Sequence, residues 1–388
     1  MSREIAALRS PRTIYGPEHE QFRAAFRSFL QREALPHRER WLADGIIDRD
    51  FWKKAAADGF VAFTAPERFG GLGIDDFRFN AVIDEEVAYL GAATDAFQLT
   101  NDIVGPYFWD LASPEQQERW LPGIVDGSTV PAIAMTEPGT GSDLRGIRST
   151  ATRTDGGWLV NGSKTFITSG IQADLIIVAA KVVDPEINGI GLFVVDATTP
   201  GFRRGRKLDK VGRQAQDTAE LFFDDVLVPD ADVLGEAGRG LPLLMGNLAQ
   251  ERLAMAVSAI ADAEQALQDT LEYVSTRTAF GAPVGTFQAN RFSMADMVTE
   301  VRIGRVYVDD CIERQSRKAL PDAEAAGAKY WATELQWRVL DRCLQLHGGY
   351  GYMNEYDIAR RWRDARVQRI YGGTSEIMQE IVGRSIGL

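Results

Sequence analysis

The sequence predicts a mostly helical α+β fold in three parts, and three observations predict it. Residues 1–128 carry apolar side chains at helical spacing. Residues 129–236 hold short β-rich runs separated by turn signals, with no long helical pattern between them. From residue 237 the helical period returns in longer stretches. A length of 388 residues allows two to three domains with ample core.

In the N-terminal part, Pro17 suits a first helical position, and Phe22, Phe26, Phe29 and Leu30 share one face. Asp48 is placed to cap a helix over 51–57. Gly70-Gly71-Leu72-Gly73 reads as a loop, and 76–90 and 94–111 as helices. Ser113-Pro114-Glu115-Gln116 reads as a cap with proline in the first turn of a helix ending near Gly127. Strands follow over 147–154, 158–161, 175–182, 191–196 and 219–223, punctuated by Asp155-Gly156-Gly157, Asn161-Gly162 and Pro200-Gly201. They fit a compact antiparallel barrel or sandwich. After a loop over 229–240, helices span 241–276, 287–318 and 321–346, with a break at 277–283. A sharp loop at 348–352 and a final helix over 375–384 close the chain.

A formal net charge of −12 argues against a nucleic-acid partner. Cys311 and Cys343 suggest no disulfide framework, so a reducing, cytoplasmic setting is expected. His19, His37 and His347 are scattered, and no metal site is expected. No apolar run of about 18 residues suggests a transmembrane segment, and no leader is recognised.

Four stretches carry candidate chemistry. The loop 134–143 has Pro138, Gly139 and Gly141 for close backbone approach, and hydroxyls at Thr140 and Ser142. Phe166-Ile167-Thr168 ends a strand. Arg277 stands where a helix ends, a place that favours a cation. Gln345-Leu346-His347-Gly348-Gly349 reads as a helix ending in a glycine cap, and Thr374 as an N-cap.

The order Met-Thr-Glu-Pro-Gly-x-Gly-Ser-Asp over 135–143, then Asn-Gly-Ser-Lys-x-Phe-Ile-Thr over 161–168, resembles the flavin-binding segment of the acyl-CoA dehydrogenase family. The resemblance extends over almost the whole chain. It implies a helical domain over 1–128, a middle antiparallel β-barrel domain over 129–236 and a four-helix-bundle-like domain over 237–388. It implies FAD, with Met135, Thr136, Phe166 and Thr168 around the isoalloxazine and Ser142 in the same loop. Many relatives carry Trp where this chain has Phe166. The resemblance gives Arg277, with Phe280 and Gln288, the pyrophosphate of a neighbouring subunit's FAD. Gln345, Gly348 and Gly349 approach its adenosine diphosphate, and Thr374 and Glu376 complete that set. A site so shared implies a homotetramer. Ser142 and Arg252 match positions that contact acyl-CoA, with Gly373 and Arg384 as further candidates.

The implied reaction is dehydrogenation of an acyl-CoA thioester to the trans-2-enoyl thioester. A carboxylate takes the α-proton, flavin N5 accepts the β-hydride, and the N–H of Gly372 polarises the thioester carbonyl. Electron-transfer flavoprotein is the implied acceptor. Most relatives carry the base as Glu in Tyr-Glu-Gly-Thr, whereas this chain reads Tyr371-Gly372-Gly373-Thr374. Long-chain and isovaleryl enzymes lack it there and place Glu on an earlier helix, which Asn247-Leu248-Ala249-Gln250-Glu251-Arg252-Leu253 matches. On a continuous helix, Leu244, Leu248, Glu251 and Met255 share a face. A carboxylate in that stripe is unusual unless paired, for instance with Arg252, or functional. Asp262 lies on the same face, about 16 Å further on. Two other readings remain open: an oxidase or monooxygenase on the same fold, and a non-catalytic assembly protein.

Overall fold

The computed structural model describes Leu8 and residues 11–388. The other early residues of the predicted N-terminal domain lie outside the described residues. The chain opens with α1 (Pro17–Glu33), α2 (Arg38–Asp44), α3 (Arg49–Ala57) and α4 (Phe77–Leu90). A single turn, α5 (Ala96–Gln98), leads through a π-helical turn at Leu99–Val104 into α6 (Gly105–Asp110), and α7 (Pro114–Val125) follows. Phe26, Phe29, Trp41, Phe51, Phe60 and Phe97 fill the core between these helices. Ser113 caps α7 with the reciprocal Gln116 contact. Asp48 precedes α3 but does not cap it, because its carboxylate pairs with Arg40. The helix expected over 94–111 is interrupted: Pro106 has no N–H to offer the Asp102 carbonyl four residues back, and the turn before it widens.

The middle part is an eight-stranded sheet. Its strands are β1 (Pro131–Ala134), β2 (Thr150–Thr154), β3 (Gly157–Thr168), β4 (Leu175–Val183), β5 (Ile190–Asp196), β6 (Phe202–Lys207), β7 (Thr218–Pro229) and β8 (Val233–Leu234). The order is β6-β7-β3-β2-β4-β5-β8, with β1 beside β4. The sheet is mixed rather than purely antiparallel, because β1 and β2 both run parallel to β4. They pair in succession along it, β1 at 175–178 and β2 at 181–183. Residues 135–149 are thereby extruded between them as a loop. β4 is buried on both faces: Ile177 and Ala179 meet the helical core, while Ile176, Val178 and Ala180 meet the sheet's own core. β6 and β8 end the pairing path, so no closed barrel forms. The basic side chains Arg203, Arg204, Arg206 and Lys207 suit β6 to an edge.

Next come α8 (Gly240–Gly246) and α9 (Leu248–Thr276), separate helices where one was expected over 241–276. Gly246 and Asn247 favour helices poorly, and the Asn247 side chain bonds elsewhere. The hairpin β9 (Thr278–Ala279) and β10 (Ala282–Pro283) leads to α10 (Gln288–Ser316), α11 (Asp322–His347), α12 (Asp357–Ala365) and α13 (Ser375–Ser385). Small residues on α9, including Ala256, Ala259 and Ala263, pack in one core with Val301 and Val308 of α10, Leu335 and Val339 of α11 and Ala81 of α4.

Candidate active site

Glu251 sits in the first turn of α9 and is 4% exposed. Its Oε1 accepts hydrogen bonds from Tyr107 Oη at 3.2 Å and Asn247 Nδ2 at 3.2 Å. Burial pushes its carboxyl up to about 7, against the pull of those two donors and of Arg252. Tyr107 is pushed well up as well, by burial first and then by the Glu251 charge, so the phenol keeps its proton. Asp102, on the π-helical turn, accepts from Asn80 at 2.8 Å; burial first, and then Glu251, push it up to about 8. Arg252 is 6% exposed and makes no salt bridge with Glu251, and burial lowers its pKa. Among the described residues its Nε has no hydrogen-bond partner.

The Tyr371–Thr374 turn packs against α9 one helical turn beyond Glu251. Gly372 and Gly373 have φ of 61° and 93°, the left-handed region glycine favours. A Cβ on Gly372 would overlap the thioether of Met255. Lys329 of α11, fully buried, donates from Nζ to the Gly373 carbonyl at 2.6 Å. Burial first, and then Arg252, push that ammonium down to about 8. Thr374 caps α13 by accepting from Ile377 N at 3.3 Å. Lys329 gave no sequence signal, because a lysine within a helix reads as solvated.

The extruded loop is held from below. Lys164 Nζ reaches the Met135 carbonyl at 3.0 Å and Glu137 Oε1 at 2.8 Å. Glu137 also accepts from the backbone N–H groups of Arg148 and Ser149. Burial alone would raise this carboxyl; the bonds from Lys164, Ser149 and Arg148 hold it down at about 2. Thr165 donates to the Thr136 carbonyl at 3.0 Å where the β3–β7 register slips. Phe166 next to it adopts φ 60° and stands 67% exposed, a strained state for an aromatic residue. No atom beyond the immediate neighbours lies within 4 Å of a Cβ position on Gly139 or Gly141. The loop therefore combines a rigid base, an open glycine rim and a projecting ring, which fits a planar cofactor. Lys164→Met should destabilise the protein by about 3–5 kcal/mol by leaving the buried Glu137 carboxylate unpaired. Adding Glu137→Gln should recover part of the loss, and denaturant melts compare the variants.

A second set gathers at the far end of α9, about 38 Å from Glu251 at 1.5 Å per residue. Arg277, Phe280, Gln345, Gly348 and Gly349 line one cavity of about 710 Å³ with Tyr273 and Tyr350. Phe280, at the hairpin tip, is 98% exposed and its ring meets Phe287; Gln288, which follows Phe287 and begins α10, does not line the cavity. Thr374 and Glu376 do not join this set. They stand near Lys329, about 27 Å along α11 from His347. Arg384 lies apart as well, exposed and bonded to Glu380 at 2.6 Å.

Models of the acyl-CoA dehydrogenase N-terminal, middle and C-terminal domains match residues 16–128, 132–226 and 238–387. The chain is 44% identical to a long-chain specific acyl-CoA dehydrogenase, mitochondrial, of Rattus norvegicus, over 97% of this chain and 88% of that one. It is 32% identical to an isovaleryl-CoA dehydrogenase, mitochondrial, of Arabidopsis thaliana, over 99% and 95%. The crystal structure of an acyl-CoA dehydrogenase from Geobacillus kaustophilus superposes with TM-score 0.94 at 49% identity, covering 96% of this chain and 99% of that one.

Proposed function

The chain belongs to the acyl-CoA dehydrogenase family, and from that premise we propose that Glu251 is the base that removes the α-proton of an acyl-CoA thioester. The protein is an FAD-dependent enzyme that dehydrogenates acyl-CoA. The observation that carries the assignment is a buried carboxylate, in no salt bridge among the described residues, one turn from the Gly372 position that lacks an acid.

Bound FAD supplies a two-electron acceptor. Met135, Thr136, Ser142, Phe166 and Thr168 hold it in one subunit, together with Thr374 and Glu376. Arg277, Phe280, Gln288, Gln345, Gly348 and Gly349 belong to a neighbouring subunit's cofactor. The Gly372 N–H, on the turn that Lys329 ties down, polarises the thioester carbonyl, and Gly373 and Arg252 lie beside the thioester. Arg384 is not assigned a contact. With its carboxyl near 7, Glu251 can take a proton at neutral pH and keep it while substrate excludes water.

A homotetramer is proposed because exposed apolar side chains gather on the C-terminal helices. Phe292, Ile303, Val306 and Trp331 stand exposed, and Ile303, Tyr307, Tyr330, Trp331 and Val382 line an apolar cavity of about 520 Å³. Electron-transfer flavoprotein is the proposed acceptor. Two buried free thiols fit a reducing cytoplasm. Among the described residues no helix is long and apolar enough to cross a membrane.

A panel from butyryl-CoA to palmitoyl-CoA with isovaleryl-CoA, scored anaerobically by flavin bleaching, tests the reading and ranks the acyl chains. Arg277→Ala should weaken FAD retention at least tenfold through loss of a charge-assisted contact. It should shift light-scattering mass towards smaller species. Unchanged retention in an intact tetramer would remove Arg277 from the cofactor site.

A further inference from the structure

We propose that Asn247 and Tyr107 are positioning residues that clamp one oxygen of Glu251 and leave the other for the substrate; the proposal rests on the reading of Glu251 as base. Asn247 stands in the break between α8 and α9. Its Nδ2 reaches the Asp102 carbonyl at 3.0 Å, the Ile103 carbonyl at 3.3 Å and Glu251 Oε1 at 3.2 Å. Two of these three partners are carbonyls and the third is a carboxylate when ionised, so the amide nitrogen must be the atom that faces them.

The Asp102 carbonyl is free to accept for a reason written in the chain. Pro106, four residues on, brings no N–H to it. The π-helical turn thus presents a carbonyl with no donor from Pro106; Asn247 Nδ2 at 3.0 Å and Gln250 Nε2 at 3.4 Å both reach it, and of the two only Asn247 also reaches Glu251. Tyr107 follows Pro106 directly. Its hydroxyl lies 3.2 Å from both the Leu244 carbonyl and Glu251 Oε1. One phenolic proton serves two acceptors, and an ionised carboxylate is the stronger. The proton therefore goes to Glu251 when that group is charged and falls back on Leu244 when it is not. Among the described residues no hydrogen bond reaches Oε2. The charged and titratable groups facing this carboxylate are Asp102 on the π-helical turn, Tyr107 on α6 and Arg252 on α9. Both clamp donors favour the ionised base against burial.

Tyr107→Phe keeps the ring and removes only the donor. The expected result is about a tenfold slower flavin reduction at pH 7 and a pH midpoint about one unit higher. FAD retention and acyl-CoA affinity should stay within about twofold. Asn247→Ala should move both readouts the same way and further. A second readout needs no turnover. The infrared C=O band of protonated Glu251, identified by its loss in Glu251→Gln, should persist to higher pH in Tyr107→Phe. A Tyr107→Phe protein with the parent's rate profile and an unshifted band would overturn the clamp, even where Asn247→Ala does not fold. If Glu251→Gln itself reduces flavin normally, the base assignment fails instead, and the two failures are told apart.

Discussion

Glu251→Gln should retain FAD and bind acyl-CoA, yet reduce flavin three to four orders of magnitude more slowly, about the contribution of a positioned general base. The substitution keeps shape and the Asn247 and Tyr107 contacts at Oε1, and removes only the proton acceptor. The parent's pH profile carries the same information. A base held near 7 is ionised above that pH, so reduction should fall about tenfold per unit below it and level off above. Stability runs the other way. The carboxyl is raised from 4.5 to about 7 on folding, so the folded state loses stability as pH rises through that interval, by about 3 kcal/mol in all. Stopped-flow absorbance across pH 5.5–9 reads the rate, and near-normal reduction by Glu251→Gln would remove the assignment.

Moving the acid to the other family position should fail unless room is made for it. Gly372 has φ 61°, which costs a non-glycine residue about 1–2 kcal/mol. Its Cβ would meet the far end of the flexible but buried Met255 side chain, which must shift to clear it, at about 1 kcal/mol more. The double variant Glu251→Gln/Gly372→Glu should therefore stay close to Glu251→Gln in single turnover. Adding Met255→Ala clears the overlap and should raise the rate at least tenfold over the double variant. Full rescue with Met255 in place would show that the turn yields more easily than its contacts imply.

The helix–sheet–helix order is legible because the 3.6-residue period gives way to short β-rich apolar runs bounded by turn residues, such as Leu175–Val183, and then returns, as over Leu248–Thr276. β6 is not legible, because its basic side chains mask an edge strand. The break at Asn247 is hidden by an apolar period that runs through Leu244, Leu248, Glu251 and Met255. Glu251 stands out only against the missing acid at Gly372 and the resemblance that gives that absence meaning. Its surroundings are silent in sequence. Tyr107 and Asn247 lie 140 residues apart, and what joins them is Glu251 Oε1, which both reach only once the chain is folded. Lys164 and Glu137 likewise read as ordinary surface charges until the fold buries them together under the loop. Within one chain the length of α11 keeps Thr374 and Glu376 apart from Gln345–Gly349, a separation that no local pattern announces.

The most direct test of the central claim is anaerobic mixing of the FAD-loaded protein with acyl-CoA, with flavin absorbance followed and the thioester product identified by mass. The expected result is bleaching of the oxidised flavin with one trans-2-enoyl thioester formed per flavin, lost in Glu251→Gln. Flavin that stays oxidised with every acyl thioester tried, or bleaches without enoyl product, would contradict it.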